Sequence, residues 1–168
     1  MPHHKCCAST ESFANICNAV SIVNAPQTYN ANSFVPLSYA SSSDWTIDPD
    51  DSTKLICQNS GTWTVFAQYQ CGSLVATPAQ VSGWFVVNGF YQDLSIAVNS
   101  LQAQYDTKVL VIGYAYNFNK GDNLQLGIRC STTESVALQQ GIFYLPSTSA
   151  LNTSGLNIPS MIVTMTKR

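Results

Sequence analysis

The stretch that decides the fold class is Gly61-Thr62-Trp63-Thr64-Val65-Phe66-Ala67-Gln68-Tyr69-Gln70-Cys71. Apolar residues occupy every second position from Trp63 to Cys71, and Thr or Gln fills all but one of the positions between them. Successive side chains of a strand point to opposite faces, so this period predicts a strand with one buried and one mainly polar face. Phe66 is the exception, because it places a large apolar side chain on the polar face.

The same strand periodicity covers most of the chain. Trp84-Phe85-Val86-Val87 is an apolar run that ends at Asn88-Gly89, a strong hairpin signal. Turn residues at 119–123 separate two further runs, and residues 11–20 predict at most a turn or two of helix. Further strands are predicted for residues 108–118, 124–130, 136–145 and 160–166. Many short strands joined by polar turns are typical of a sandwich or jelly roll, so we predict an all-β fold with two antiparallel sheets.

Length and composition set the organisation and exclude several classes of function. Residues 1–18 are predicted to form an N-terminal arm, and residues 19–168 a single β domain. The net charge of −2 provides no basic footprint for nucleic acid. No run approaches the roughly 18 apolar residues of a membrane span, and none at the start of the chain predicts a secretory signal.

Residues suited to catalysis are scarce. The two histidines, His3 and His4, lie in the predicted arm, whereas a nucleophilic site needs a histidine held rigidly by the fold. Glu11 and Glu134 are the only glutamates, and neither standard phosphate loop occurs. We therefore predict no enzyme activity, no catalytic residue and no cofactor.

Two groups of potential metal ligands deserve comparison with known sites. His3, His4, Cys6 and Cys7 are close in sequence, but zinc sites usually draw ligands from two separate elements. The stretch 44–51 contains Asp44, Asp48, Asp50 and Asp51, whose spacing does not match an EF-hand loop. We predict adventitious binding at the first group and a solvated acidic turn at the second, with calcium as the alternative for the turn.

The cysteines and one glycosylation tripeptide carry weaker signals. Cys57, Cys71 and Cys130 lie in predicted strands and are expected to be free thiols that pack as small apolar side chains. A bond between Cys57 and Cys71 remains the alternative. Asn152-Thr153-Ser154 matches a glycosylation acceptor in a predicted loop, a tripeptide that often arises by chance.

Three segments in order resemble the TNF/C1q-like jelly-roll superfamily. They are the Lys54–Gln68 stretch with Cys57, Gly61 and Trp63, the Trp84–Gly89 strand and hairpin, and the Tyr116–Leu124 segment with Gly121-Asp122. The Phe-x-Gly-Phe strand of vertebrate C1q domains is absent. The ending Ile158–Thr166 looks more like C1q-type domains of bacterial spore coats and large DNA virus particles.

The resemblance implies a homotrimer in which one face of the Trp63 strand packs along the threefold axis. Five residues match that interface: Thr64, Phe66, Gln68, Val111 and Tyr116. The implied function is that of a non-catalytic structural or adhesive protein, foremost in the virion, with other virion or surface proteins as further partners. The alternatives are a spore-surface protein and a secreted receptor or carbohydrate ligand. A cupin-like enzyme is disfavoured, because the β domain has no histidine.

Overall fold

The computed structural model describes residues 16–21, 27–28, 33–40, 42–73, 78–102, 106–130, 136–138 and 161–168. Within these ranges the chain forms strands and one 3-10 turn, Asp93–Ser95, and has no α-helix. No helix there is long and apolar enough to cross a membrane. His3, His4, Cys6, Cys7 and Asn152 lie outside the described residues, as do positions 139–145 of a predicted strand.

The described strands form two antiparallel sheets, and each sheet has seven strands within these ranges. Sheet A contains β1 (Ile16–Ser21), β2 (Gln27–Thr28), β4 (Tyr39–Ala40), β7 (Gly61–Ser73), β11 (Thr107–Phe118), β13 (Val136–Leu138) and β14 (Met161–Lys167). Sheet B contains β3 (Ser33–Phe34), β5 (Trp45–Ile47), β6 (Lys54–Cys57), β8 (Ala79–Val87), β9 (Phe90–Tyr91), β10 (Ala97–Leu101) and β12 (Asn123–Cys130).

Strand β7 organises sheet A. Along one side it pairs with β11 over nearly its whole length, and along the other side it pairs with β14 and then β13. Strand β11 therefore forms one edge of this sheet among the described strands. Sheet B runs in the order β10-β8-β12-β6-β5, so β10 forms one of its edges. The predicted all-β sandwich of two antiparallel sheets is confirmed.

The core lies between the sheets and is filled by alternate residues of β7, as predicted. Trp63, Val65, Ala67 and Tyr69 are almost completely buried, and the Tyr69 hydroxyl donates to the Gly127 carbonyl at 3.2 Å. This bond ties the central strand of sheet A to sheet B and satisfies a hydroxyl that burial would otherwise leave unpaired.

The Asn88-Gly89 hairpin is also confirmed. Both residues have positive φ, 51° and 82°, as a type I′ turn requires. The Asn88 amide donates to Asp122 at 2.8 Å, and its carbonyl oxygen accepts from the Asn123 backbone at 2.9 Å. The side chain thereby joins the β8–β9 turn to the β11–β12 turn.

The N-terminal region differs from the prediction in one respect. Residues 16–21 form β1, which pairs with β14 from Ile16 opposite Thr166 to Ser21 opposite Met161. Residues 16–18, assigned to the arm from sequence, therefore belong to sheet A, and helix is excluded for residues 16–20. The sequence of residues 16–21 alternates only weakly, so it did not predict this strand. The strand is instead determined by pairing with β14, at the other end of the chain.

Gly127 provides a test of packing on the outward side of sheet B. A Cβ atom at this position would lie well inside contact distance of the Trp84 indole, which is nearly buried. We expect Gly127→Ala to lower the free energy of unfolding by about 1–3 kcal/mol through overpacking. Chemical denaturation measures the effect. In a Trp84→Leu background the same substitution should cost less, and an equal cost in both backgrounds would contradict the packing explanation.

Candidate functional site

The outward side of sheet A is a broad surface that we call the Phe66 face. Strand register determines its membership, because paired residues of antiparallel strands point to the same side. Its central row joins Thr164, Phe66 and Gly113, and the next row joins Ile162, Gln68 and Val111. On strands β7, β11 and β14, to which we restrict the name, the face comprises Thr62, Thr64, Phe66, Gln68, Gln70, Val109, Val111, Gly113, Ala115, Asn117, Ile162, Thr164 and Thr166.

Three large apolar side chains are half-exposed on this face. Phe66 is 50% exposed, and Val109 and Val111 are each 52% exposed. The Phe66 ring lies over Gly113, where a Cβ atom would be 2.8 Å from the ring. Because the glycine has no side chain, the ring rests against the neighbouring strand.

The Phe66 face is also uncharged. All of these members carry hydroxyl, amide or apolar side chains or are glycine. At one end of the face, Arg168 Nε donates to the Thr64 hydroxyl at 2.8 Å. Protein interfaces are depleted of charge at their centres and enriched in aromatic residues. The face has the composition of such a centre.

The structure brings together four of the five residues predicted for an interface. Thr64, Phe66, Gln68 and Val111 lie on the Phe66 face, in adjacent rows. Tyr116 does not, because it pairs with Trp63 and therefore points to the core side of sheet A. Its ring contacts that of Phe118 with centroids 4.8 Å apart, so Tyr116 lies on the opposite side of β11 from the Phe66 face, and its place in an interface stays a prediction.

Sequence reasoning also missed Val109 and Ile162, which the register places on the Phe66 face. In β11 both sides of the strand are apolar from Val109 to Ile112, so no alternation separates them. Ile162 belongs to the face because β14 pairs directly with β7, a contact between distant parts of the chain.

A second exposed apolar area lies along the edge of sheet B. We call residues Phe90–Val98 the edge strip. It contains Phe90, Tyr91, Leu94, Ile96 and Val98, with exposed fractions from 53% to 90%. This strip was not predicted from the sequence, where its apolar residues look like those of an ordinary strand.

Cys57 is a free thiol, as predicted. It is fully buried and donates to the Asn59 carbonyl at 3.2 Å. Burial is the main reason that the pKa of this thiol is raised above its ordinary value. Since the thiolate is the reactive form, Cys57 has no features of a nucleophile.

Accordingly, we expect Cys57 to resist iodoacetamide at pH 8 while the protein is folded. In denaturant it should react at the rate of an unperturbed cysteine. Peptide mass spectrometry after timed labelling distinguishes the cysteines by position. Native-state labelling of Cys57 as fast as in denaturant would contradict its burial.

The acidic turn uses its carboxylates internally. Asp48 accepts from the Asp50 backbone at 2.9 Å, and Asp44 accepts from the Asn59 amide. Asp51 accepts from both the backbone and the hydroxyl of Thr53, and this hydroxyl is the main reason that its pKa is lowered. Among the described residues, no three His, Cys, Asp or Glu side chains come together as a metal site.

An open depression of about 360 Å³ lies at the end of the β8–β10 pair where β8 begins and β10 ends. It is lined by Pro78, Ala79, Gln80, Ser100 and Gln102. None of these residues is titratable, and the depression offers no general base beside Ser100.

Comparison with known proteins bears on the fold. No family model matches the chain, and no curated protein matches it in sequence. Among solved structures, that of murine APRIL, of the TNF family, is similar with a TM-score of 0.55 and 8% sequence identity. The match covers 92% of this chain and 98% of the APRIL chain. The chain therefore has a TNF-like jelly-roll fold.

Proposed function

We propose that the protein is a non-catalytic building block that assembles as a homotrimer through the Phe66 face. One observation carries this proposal. The half-exposed side chains of Phe66, Val109 and Val111 lie together on a surface that is otherwise uncharged. The sequence resemblance to TNF/C1q-like trimers, in which the matching face lies on the threefold axis, supports it. Tyr116, on the core side of edge strand β11, is assigned no interface role.

Burial of the three apolar side chains accounts for much of the association energy. Each keeps half of its surface exposed in the single chain. Removing the remainder from water contributes about 1 kcal/mol per side chain, hence about 3 kcal/mol per subunit. A contact that closes into a ring after three copies buries this surface in every subunit. An open fibre, by contrast, would leave the surface exposed at its growing end.

We place this building block in the particle of a large DNA virus. The support is the resemblance of residues 158–166 to such domains and the low charge, with 10% charged residues. Few surface charges suit close packing between identical subunits. A spore-surface protein and a secreted receptor or carbohydrate ligand are the competing assignments.

Antibodies raised against the recombinant protein distinguish these locations. We expect immunogold particles on intact virions from cells that produce the protein, and the same chain in the proteome of purified virions. Labelling confined to spores, or recovery only from the culture medium, would contradict the virion assignment and favour the corresponding alternative.

A further inference from the structure

The Asn88-Gly89 turn combines a chemically labile sequence with an exposed position. It is the only Asn-Gly pair in the chain. The side chain of an asparagine that precedes glycine is readily attacked by the next backbone nitrogen, because glycine has no Cβ atom to obstruct the approach. Both residues are exposed, and a Cβ atom at Gly89 would meet no other part of the described chain within 4 Å. Water and base therefore have access to this turn.

The Asn88 side chain is nevertheless held at both ends of its carboxamide. Its Nδ2 donates to Asp122 Oδ1 at 2.8 Å, and its Oδ1 accepts from the Asn123 backbone at 2.9 Å. Chemistry permits only this assignment of nitrogen and oxygen, because an ionised carboxylate can only accept and a backbone N–H can only donate. We call these two hydrogen bonds the Asn88 clasp.

The residues that form the clasp are themselves fixed. Asp122 Oδ2 accepts from the Asn119 backbone at 2.7 Å, and the Asp122 backbone donates to the Asn119 carbonyl at 3.0 Å. The Asn88 backbone also donates to the Asn123 carbonyl at 3.0 Å. Since both ends of the carboxamide are engaged by an ordered turn, a rotation that brings its carbon onto the Gly89 nitrogen has to break the clasp.

We propose that Asn88 is a site of spontaneous deamidation, and that the Asn88 clasp suppresses the reaction in the folded protein. The Gly89 nitrogen loses its proton to base and forms a bond to Asn88 Cγ, and the side-chain nitrogen leaves as ammonia. Water then opens the resulting succinimide at either carbonyl, which yields aspartate or isoaspartate at position 88. The reaction needs only base and water, and the proposal is independent of the proposed trimer.

The product of this reaction no longer fits the clasp. Aspartate at position 88 has a carboxylate oxygen where Asn88 had its donor, and this oxygen faces the Asp122 carboxylate across the 2.8 Å that the hydrogen bond spanned. Two carboxylates at such a distance repel each other. Isoaspartate also adds one carbon to the main chain of a two-residue turn, whose length fixes the hairpin register. Deamidation therefore separates the β8–β9 turn from the β11–β12 turn.

Timed incubation of the full-length protein at pH 8 tests the protection. Peptide mass spectrometry gives the rate of deamidation at Asn88 in the folded protein and in denaturant. We expect the folded rate to be lower by about tenfold or more, because the reaction starts only from molecules in which the clasp has opened. Comparable rates in the two conditions would overturn the protection. An Asn88 that stays unmodified in denaturant would overturn the site itself.

Asp122→Ala separates the clasp from the general rigidity of a folded chain. The substitution removes the acceptor of the Asn88 amide, so we expect deamidation of the folded protein to become about tenfold faster. Asp50→Ala removes an exposed carboxylate from a different turn and should leave the rate unchanged. Circular dichroism checks that both variants fold. A rate in Asp122→Ala no higher than that in Asp50→Ala would overturn the protection by the clasp.

An exchange of the two side chains tests the consequence of deamidation without the alanine variant. Asn88→Asp reproduces one product, and we expect amide hydrogen exchange of residues 86–91 and 119–124 to become about tenfold faster. Adding Asp122→Asn reverses donor and acceptor, because the new amide donates to the carboxylate at position 88 and still accepts from the Asn119 backbone. The double variant should restore slow exchange in both turns. Wild-type exchange in the single variant, or no recovery in the double variant, would contradict the opening of the turns.

Discussion

If the proposed trimer forms, Phe66→Asp is expected to convert it to monomer at micromolar concentration. The substitution removes the largest apolar side chain of the Phe66 face and puts a carboxylate in a surface that assembly would take out of water. The combined loss is about 2–4 kcal/mol per subunit, enough to weaken assembly more than a hundredfold. Light scattering coupled to size exclusion measures the mass.

A matched control separates this effect from a general response to added negative charge. Thr46→Asp introduces the same carboxylate at an exposed strand position on β5, at the opposite edge of sheet B. It should leave the mass unchanged, and both variants should keep the wild-type circular dichroism spectrum. A Phe66→Asp protein that remains trimeric would show that Phe66 is not part of the interface.

Trp45→Ala is expected to produce the largest loss of stability in the single chain. The Trp45 ring is fully buried and meets Trp63 and Phe118 edge-on, with centroids 5.6 Å and 4.9 Å away. Truncation leaves a cavity between the sheets and should cost about 3–5 kcal/mol of unfolding free energy. A less stable chain spends more time unfolded and is degraded more readily in cells, so we also expect this variant to express poorly.

Trp45→Phe provides the comparison that identifies the cause. The buried Trp45 Nε1–H has no hydrogen-bond partner among the residues that the structure describes, so removing it relieves a desolvation cost that offsets part of the lost packing. We expect a loss of about 1–2 kcal/mol, clearly below that of the alanine variant. Urea denaturation at low protein concentration gives both values. Equal losses of unfolding free energy in Trp45→Ala and Trp45→Phe would contradict the stability that we assign to packing of an aromatic ring at this position.

The strands that alternate in sequence were predictable because local residues determine them. Strand β7 alternates from Trp63 to Cys71, and the Asn88-Gly89 turn requires positive φ, which these residue types tolerate. The polar face of β7 with Phe66 upon it followed from the same period. Alternation within one strand is therefore enough to assign its two faces.

The full set of residues on the Phe66 face was harder to predict from the sequence, because it depends on which strands pair. Val111 and Tyr116 are five positions apart, an odd separation that places them on opposite sides of a regular strand. That signal was present in the sequence and showed that only one of the two can lie on the Phe66 face, whereas the register with β7 decides that it is Val111. The edge strip left no comparable signal, since its exposure results from β10 lying at the end of sheet B.

The most direct test of the trimer is the solution mass of the unmodified protein. Size exclusion coupled to light scattering should give a single species at three times the chain mass of 18.2 kDa. That mass should persist on dilution into the micromolar range. A species of one chain mass at every concentration would contradict assembly through the Phe66 face.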